Sequence, residues 1–223
     1  DSSISNAYAT GNVTSNSIAG GLVGEISVMT GSAAITNAYA TGAVSASVNA
    51  INSIAFGGLV GYIQGDQMGT GGSVAISNTY ATGAVRGSSG SSGALVGLAL
   101  YSLESATISN SFWDTSTVNP SGTTPLSAVG GDSNLFLGLA SVTQTNVSGK
   151  TTAELKQRAT FENAGWSISG NGGEYPTLRM GPGGSTVWKI GADISPIYIS
   201  LACGLLCNNT YGNDVSLSFG AFN

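Results

Sequence analysis

The chain has 223 residues, of which nearly half are Gly, Ser, Thr or Asn and only 8% are charged, where an ordinary soluble domain has about 25% charged residues. Its net charge of -5 offers no basic surface for phosphates, which argues against nucleic acid as a partner. The chain has no His, so the commonest general base and metal ligand is absent. With 41% hydrophobic residues and little charge, the composition favours a folded chain.

A block of eight residues recurs along the first half of the chain. It reads Ile-Ser-Asn-Ala-Tyr-Ala-Thr-Gly in its first copy, and its fourth copy is altered to end in Phe-Trp-Asp-Thr. The four copies begin at Ile4, Ile35, Ile76 and Ile108. A second block, Gly-Gly-Leu-Val-Gly or a close variant, lies between successive copies. Each repeat therefore contains short Val-, Ile-, Tyr- and Thr-rich segments separated by Gly and Asn, which is typical of short β-strands.

One such repeat cannot bury its own apolar face, so neighbouring repeats are expected to stack. The predicted fold is all-β, a parallel β-solenoid in which each repeated residue lies about 4.8 Å from its counterpart. Three ladders follow, which we name the aliphatic, aromatic and asparagine ladders. Their members are Ile4, Ile35, Ile76 and Ile108; Tyr8, Tyr39, Tyr80 and Phe112; and Asn6, Asn37, Asn78 and Asn110. The Asn residues suit a turn with left-handed backbone, and the glycines of the second block suit a tight corner with positive φ.

The chain divides into three predicted parts. Residues 1–118 form the solenoid, 119–180 a capping segment, and 181–223 a β-rich tail with three short strands. The altered fourth repeat and the Pro and Gly residues after it are typical of a solenoid end. One short α-helix is predicted near 152–161, because Thr151 and Glu154 have the spacing of a capping box. The capping segment is expected to pack over the end of the solenoid.

The two cysteines, Cys203 and Cys207, lie four residues apart. A zinc site would need two further ligands, which a chain without His can hardly supply. A local disulfide is the simplest interpretation, with two free buried thiols or pairing with another chain as alternatives. A disulfide and the low charge both fit an exported protein. Since the sequence begins at Asp1 and contains no apolar run long enough to span a bilayer, we expect a mature product or a piece of a longer protein without a membrane span.

Catalytic chemistry has little support in the sequence. The acidic residues never recur at one position of the repeat, and Ser-His-Asp or Cys-His catalysis needs a His. Asp114 beside Trp113 is the best single candidate for a sugar site, although a capping role explains it as well. Gly130-Gly131-Asp132 is similar to one fragment of a calcium-binding β-roll, but it occurs once. We therefore expect no enzyme activity, no catalytic residue, no metal and no cofactor.

Three Asn-X-Ser/Thr sequons are candidate glycosylation sites. Their asparagines are Asn12, Asn146 and Asn208. Chance alone can produce such sequons in a chain this rich in Asn, Ser and Thr.

The repeated blocks resemble the GLUG repeats of large bacterial surface proteins, including the passengers of filamentous-haemagglutinin-like adhesins exported by two-partner or autotransporter secretion. Downstream segments are similar to those proteins in the same order, among them Ser111-Phe112-Trp113-Asp114 and Tyr175-Pro176-Thr177-Leu178-Arg179. The resemblance covers about residues 1–180. It implies a right-handed parallel β-helix located extracellularly or at the cell surface, without a catalytic site. It also implies two possible features: glycosylation at the sequons and a surface-anchoring role for the cysteine pair.

Two functions are expected from these observations. The first is an adhesin-type stalk or binding module that attaches to host or neighbouring cells, to matrix or to glycans. The alternative is a structural subunit that self-assembles end to end with identical subunits into an extracellular filament or sheath. Asp1 lies three residues before the first repeat block, which would leave the first repeat open to a partner. An alternating strand near the C-terminus could also add to a neighbouring sheet.

Overall fold

The structure is a computed structural model. It describes residues 1–47, 54–66, 71–87, 91–100, 103–118, 125–131, 141–180 and 186–192. In this part of the chain the protein is all-β with mostly parallel sheets, apart from two short helices. The strands fall into five successive groups, which we call layers 1 to 5, followed by a small C-terminal unit.

The layers correspond to successive repeats. Layer 1 comprises β1 (Ser2–Ala9), β2 (Val13–Ser15), β3 (Ile18–Gly20) and β4 (Val23–Ser27). Layer 2 comprises β5 (Ser32–Ala40), β6 (Val44–Ala46), β7 (Ala55–Gly57) and β8 (Val60–Gln64). Layer 3 comprises β9 (Ser73–Ala81), β10 (Val85–Arg86), β11 (Ser91–Gly93) and β12 (Val96–Leu100). Layer 4 contributes β13 (Ser105–Asp114) and β14 (Val129–Gly131), and layer 5 contributes β15 (Val142–Lys150).

The strands of the layers form four parallel sheets. Layers 1 to 3 contribute one strand to each sheet, layer 4 contributes a strand to two of them, and layer 5 contributes a strand to one. The strand orders are β1-β5-β9-β13-β15, β2-β6-β10, β3-β7-β11 and β4-β8-β12-β14, so neighbours in space follow the order of the layers. The register keeps repeated residues together, since Ile35 lies opposite both Ile4 and Ile76, and Tyr39 lies opposite both Tyr8 and Tyr80. We call the first of these sheets, which carries all three ladders, the ladder sheet.

The asparagine of each repeat changes which face of the ladder sheet the following residues occupy. In β5, Ile35 packs in the main core, as do Ala38 and Ala40, whereas Tyr39 packs in a separate cluster on the other face. Simple alternation would put residues 35 and 39 on the same face. Asn37 has a φ of 52° and supplies one residue of left-handed backbone, which shifts the alternation by one position.

The main core lies between the ladder sheet and the sheet that contains β8. Its buried members include Ile35 and Ile76 from the first sheet and Val60 and Ile63 from the second, together with Leu59 just before β8. A second cluster, around Phe56 and Val44, fills the space beside the two shorter sheets. The aliphatic ladder is therefore interior in layers 2 to 4, because Ile35, Ile76 and Ile108 are all almost fully buried.

Glycines allow the layers to approach closely, and positive φ is not the reason. None of the glycines of the second block has a positive φ, so the positive φ expected there is wrong. A Cβ on Gly57 would lie 2.6 Å from the backbone nitrogen of Gly97 in the next layer, and one on Gly42 would lie 1.9 Å from the carbonyl oxygen of Gly11 in the layer before. Backbone packed against backbone leaves no room for a side chain at these positions.

The predicted capping segment differs from the structure in two respects. First, residues 142–150 do not cap the sheets: they form β15, which extends the ladder sheet by one strand beyond the fourth repeat. Second, the single helix predicted near 152–161 is two helices, α1 (Thr152–Leu155) and α2 (Arg158–Glu162). The helix is interrupted because Gln157 is extended and the carbonyl of Lys156 accepts a hydrogen bond from the Gly173 N–H (2.8 Å).

The C-terminal unit also lies in an unexpected place. It comprises α1, α2 and a small sheet of β16 (Ile168–Ser169), β17 (Thr177–Met180) and β18 (Thr186–Lys189), in the order β16-β18-β17. We call it the side unit, because it packs against the outer face of the ladder sheet and covers the aromatic ladder, not the end of the layers. Of the predicted β-rich tail, β18 is described. Cys203, Cys207 and Asn208 lie outside the described residues.

Candidate functional site

The aromatic ladder is the contact surface between the layers and the side unit. The rings of Tyr8, Tyr39 and Tyr80 are stacked with centroids 5.1 and 5.0 Å apart. Phe112 continues the column in the next layer and makes an edge contact with Phe161 of α2. In layer 5 the matching position is Ser148, so the column of rings ends there. Stacked and edge-on rings of this kind stabilise a fold beyond the area they bury.

Two tryptophans of the side unit connect it to the asparagine ladder. The indole N–H of Trp166 donates to the carbonyl oxygen of Asn110 (2.9 Å), and that of Trp188 donates to Oδ1 of Asn37 (3.4 Å). Their rings also contact each other, with centroids 4.6 Å apart. These contacts could not be predicted from the sequence, because nothing in the local pattern around either Trp indicates which face of the sheet it covers.

Asp114 is fully buried where the end of β13 meets the side unit. Its Oδ1 accepts a hydrogen bond from the Ser116 N–H (2.8 Å), and its Oδ2 accepts from the Thr152 hydroxyl (2.6 Å) and the Tyr175 hydroxyl. Burial, followed by the hydrogen bond to Asp114, raises the pKa of Tyr175 to about 12. The carboxylate therefore joins three segments of the chain, and it is not exposed to a sugar.

The start of α1 has the predicted capping box. The Thr151 side chain accepts from the Glu154 N–H, and the Glu154 carboxylate accepts from the Thr151 N–H (2.7 Å). This backbone hydrogen bond, with a second from the Thr151 hydroxyl, lowers the pKa of Glu154. The box fixes the direction in which the chain leaves β15 and places α1 against the ladder sheet.

The asparagine ladder has five members in the structure, one more than predicted. Each has a φ between 47° and 56°, and the fifth is Asn146 of β15. The amide Nδ2 donates to Oδ1 of the preceding layer in the pairs Asn37 to Asn6 (3.4 Å), Asn78 to Asn37 (3.3 Å) and Asn146 to Asn110 (3.1 Å). The fifth member could not be predicted from the sequence, because its layer has Gln144 and Ser148 where the others have Ile and an aromatic residue.

The first layer is the most open part of the ladders. Ile4 is 37% exposed and Tyr8 58% exposed, whereas the matching Ile35 and Tyr39 are 2% and 6% exposed. A depression of about 320 Å³ leads from this edge to the main core, and its lining includes Ile4, Ile26 and Ile35. We call the free side of β1 to β4 the layer-1 edge. Within the described residues no strand pairs with it.

The other sites considered from the sequence have structural partners or lie outside the described residues. The sequon residues Asn12 and Asn146 are both exposed, but each already makes a hydrogen bond: Oδ1 of Asn12 accepts from the Ala43 N–H (2.9 Å). Gly130 and Gly131 belong to β14, and Asp132 is outside the described residues.

The described residues contain no group of three or more His, Cys, Asp or Glu side chains that could hold a metal ion. No helix in the described ranges is long and apolar enough to cross a membrane. Comparison of the whole chain with protein-family models, with curated proteins and with solved structures found no match.

Proposed function

We propose that this chain is a non-enzymatic, extracellular bacterial surface protein of the GLUG-repeat type, in which a right-handed parallel β-helix acts as an adhesin-type stalk or binding module. The observation that carries the proposal is the strand order of the four parallel sheets, in which neighbours in space follow the order of the layers. A chain that winds once per repeat produces this order. The sequence resemblance supports the family, the location and the adhesive role.

The mechanical part of the proposal follows from the contacts between layers. In a solenoid each layer contacts its neighbours only, so length is added one layer at a time without altering the others. The ladders join layers through backbone pairing, stacked rings and amide hydrogen bonds, all of which repeat along the same axis. Such an element is stiff and can hold a binding surface away from a cell.

A measurement of adhesion tests this function. Beads coated with the full chain should bind host cells, extracellular matrix or an array of glycans more than uncoated beads do. Beads coated with the heat-unfolded chain are the matched control, because they carry the same composition without the surface. If the folded chain binds no more than the unfolded chain to any of these targets, the adhesive role is wrong.

The layer-1 edge favours a second candidate, a structural subunit that assembles end to end into a filament or sheath. Its exposed Ile4 and Tyr8 occupy positions that are buried in the layers beneath. Electron microscopy of the purified chain at high concentration distinguishes the two candidates, since a filament requires assembly and a stalk does not.

A further inference from the structure

We propose that a depression between the ladder sheet and the two helices binds a single ring of a neutral sugar. The depression has a volume of about 250 Å³, and we call it the helix pocket. Its lining comes from residue 112 and residues 146–164 only, all of them described. This inference rests on the proposed function, because it names the chemical group that the binding module would hold and the place where it would hold it.

The floor of the helix pocket is apolar. It contains Phe112 and Ala164, which are both buried, and the ring of Phe112 makes an edge contact with that of Phe161 (centroids 5.5 Å apart). In layer 5 the counterpart of Phe112 is Ser148, so no ring of the ladder sheet follows Phe112 at this level. The floor therefore supplies the apolar contact on which the C–H groups of a sugar ring can pack.

The rim of the helix pocket carries amide groups. The side chains of Asn146, Gln157 and Asn163 are exposed around it. Asn146 uses its Nδ2 in the hydrogen bond to Asn110 (3.1 Å), which leaves its Oδ1 to accept. The side chain of Gln157 does not cap α2. Such amides suit the hydroxyl groups of a sugar, because an amide and a hydroxyl can each both donate and accept.

The two charged residues of the rim favour a neutral ligand. The hydrogen bonds from Thr151 lower the pKa of Glu154 most, and the nearby charge of Lys150 lowers it further. Because Lys150 and Glu154 have opposite charges, an ion attracted by one is repelled by the other. Hydroxyl groups can instead accept from Lys150 and donate to Oε1 of Glu154, since both hydrogen bonds from Thr151 go to Oε2.

The walls of the helix pocket are held in place by the fold. The Thr160 hydroxyl donates to the carbonyl oxygen of Glu154 (2.6 Å), which joins α2 to α1. The indole N–H of Trp166 donates to the carbonyl oxygen of Asn110 (2.9 Å), which holds the segment after α2 on the ladder sheet. Sites for drug-sized ligands usually have volumes of about 300–1,000 Å³. The smaller helix pocket therefore suits one sugar ring better than a longer chain.

Two variants test the helix pocket, each with a matched control. Ala159 lines the pocket from α2 and is exposed, so Ala159→Phe fills the space without changing the core. Ala153→Phe is its control, because Ala153 is exposed on α1 but outside the lining. Gln157→Ala removes one amide from the rim, and its control Gln144→Ala removes an exposed amide outside the lining.

The experiment is a nuclear magnetic resonance titration of the full, isotope-labelled chain with the methyl glycosides of glucose, galactose, mannose and N-acetylglucosamine. At least one should bind with a dissociation constant on the order of 1 mM, because so small a ligand makes few contacts. The amide signals of residues 157–164 should shift most. Ala159→Phe should abolish binding, Gln157→Ala should weaken it about fivefold, and the two controls should bind as the native chain does.

The same spectra show whether each variant is folded, and Ala159→Leu replaces Ala159→Phe if the latter unfolds. A native chain that binds none of the four glycosides overturns the proposal. So does binding that the filled pocket leaves intact, or amide shifts concentrated far from α2. The bead assay is read separately: adhesion without sugar binding overturns the helix pocket alone, and sugar binding without adhesion overturns the adhesive role alone.

Discussion

At the scale of single residues, the ladder asparagines have two structural roles. Their left-handed backbone shifts the alternation of the ladder sheet by one residue, which turns Ile35 inward and Tyr39 outward. Their side chains then form hydrogen bonds from one layer to the next. Asn is suited to both roles, because it tolerates positive φ better than other residues with side chains and carries both a donor and an acceptor.

Replacement of Asn78 separates the backbone role from the side-chain role. Asn78→Ala should lower the free energy of unfolding by about 2–3 kcal/mol, since Ala is strained at a φ of 52° and the side-chain hydrogen bond to Asn37 is lost. Asn78→Gly should cost about 1 kcal/mol less than Ala, because Gly adopts this φ freely. Urea denaturation measures both. The control is Asn163→Ala, where φ is -63°; equal costs for Ala and Gly at position 78 would contradict the backbone role.

Tyr175 makes the stability of the chain sensitive to alkaline pH. Its pKa is raised to about 12 in the folded protein from about 10 in the unfolded chain. The stabilisation is therefore complete below pH 10 and is lost as the pH rises toward 12. Burial also raises the pKa of Tyr80 well above its usual value, and the direction of its effect is the same.

Tyr175→Phe should reduce stability at neutral pH by about 1–3 kcal/mol, because Asp114 loses one of its donors. The variant should also lose less stability than the native chain between pH 10 and 12. Thermal unfolding monitored by circular dichroism from pH 7 to 12 measures both effects, with Tyr8→Phe as the control at an exposed position. A variant with the same alkaline profile as the native chain would show that Tyr175 is not the group responsible.

At the scale of the strands, glycines set how closely one layer approaches the next. Gly11, Gly42 and Gly83 occupy the same position of successive repeats. A Cβ on Gly42 would lie 1.9 Å from the carbonyl oxygen of Gly11, and one on Gly83 would lie 1.8 Å from that of Gly42. A Cβ on Gly11 would meet nothing within 4 Å, because no described strand precedes its layer.

The different surroundings of Gly42 and Gly11 allow the same substitution to be compared at one position of the repeat. Gly42→Ala should destabilise the chain by about 3 kcal/mol or more, because backbone atoms of two layers must move apart. Gly11→Ala should change the stability by less than about 0.5 kcal/mol. Urea denaturation of both variants makes the comparison. Similar effects at the two positions would mean that the requirement for Gly comes from the strand itself and not from the layer above it.

At the scale of the whole molecule, the side unit and the layers share one buried surface. Tyr80 and Phe112 of the ladder sheet pack in the same cluster as Phe161, Trp166 and Trp188 of the side unit. Neither partner can leave without exposing these rings to water, at a cost of about 25 cal/mol for each Å² of apolar surface. We therefore expect the side unit and the layers to unfold together.

Two probes of one unfolding transition test this expectation. Tryptophan fluorescence of a Trp113→Phe chain reports on the side unit, since Trp166 and Trp188 remain. Far-ultraviolet circular dichroism reports mainly on the strands of the layers. The two urea denaturation curves should coincide. A fluorescence transition at clearly lower urea would show that the side unit unfolds independently.

The repeat was enough to predict the all-β class, the parallel sheets and the rows of matching residues, because identical spacing leaves few ways to bury the same apolar face in every repeat. The capping box was also predictable, since it depends on four consecutive residues. Layer 5 was not predictable, because Gln144 and Ser148 interrupt two of the three ladders and leave only Asn146 as a signal.

Tertiary structure decided which face of the ladder sheet the aromatic ladder occupies and which residues cover it. The sequence by itself determined that Tyr39, Tyr80 and Phe112 form a column, but not which face of the sheet the column occupies. That choice depends on the left-handed Asn before each ring, and on Trp166 and Trp188, which come from far along the chain and cover the rings. Local pattern determines which residues repeat; contacts between distant segments determine which of them remain exposed, as Ile4 and Tyr8 do at the layer-1 edge.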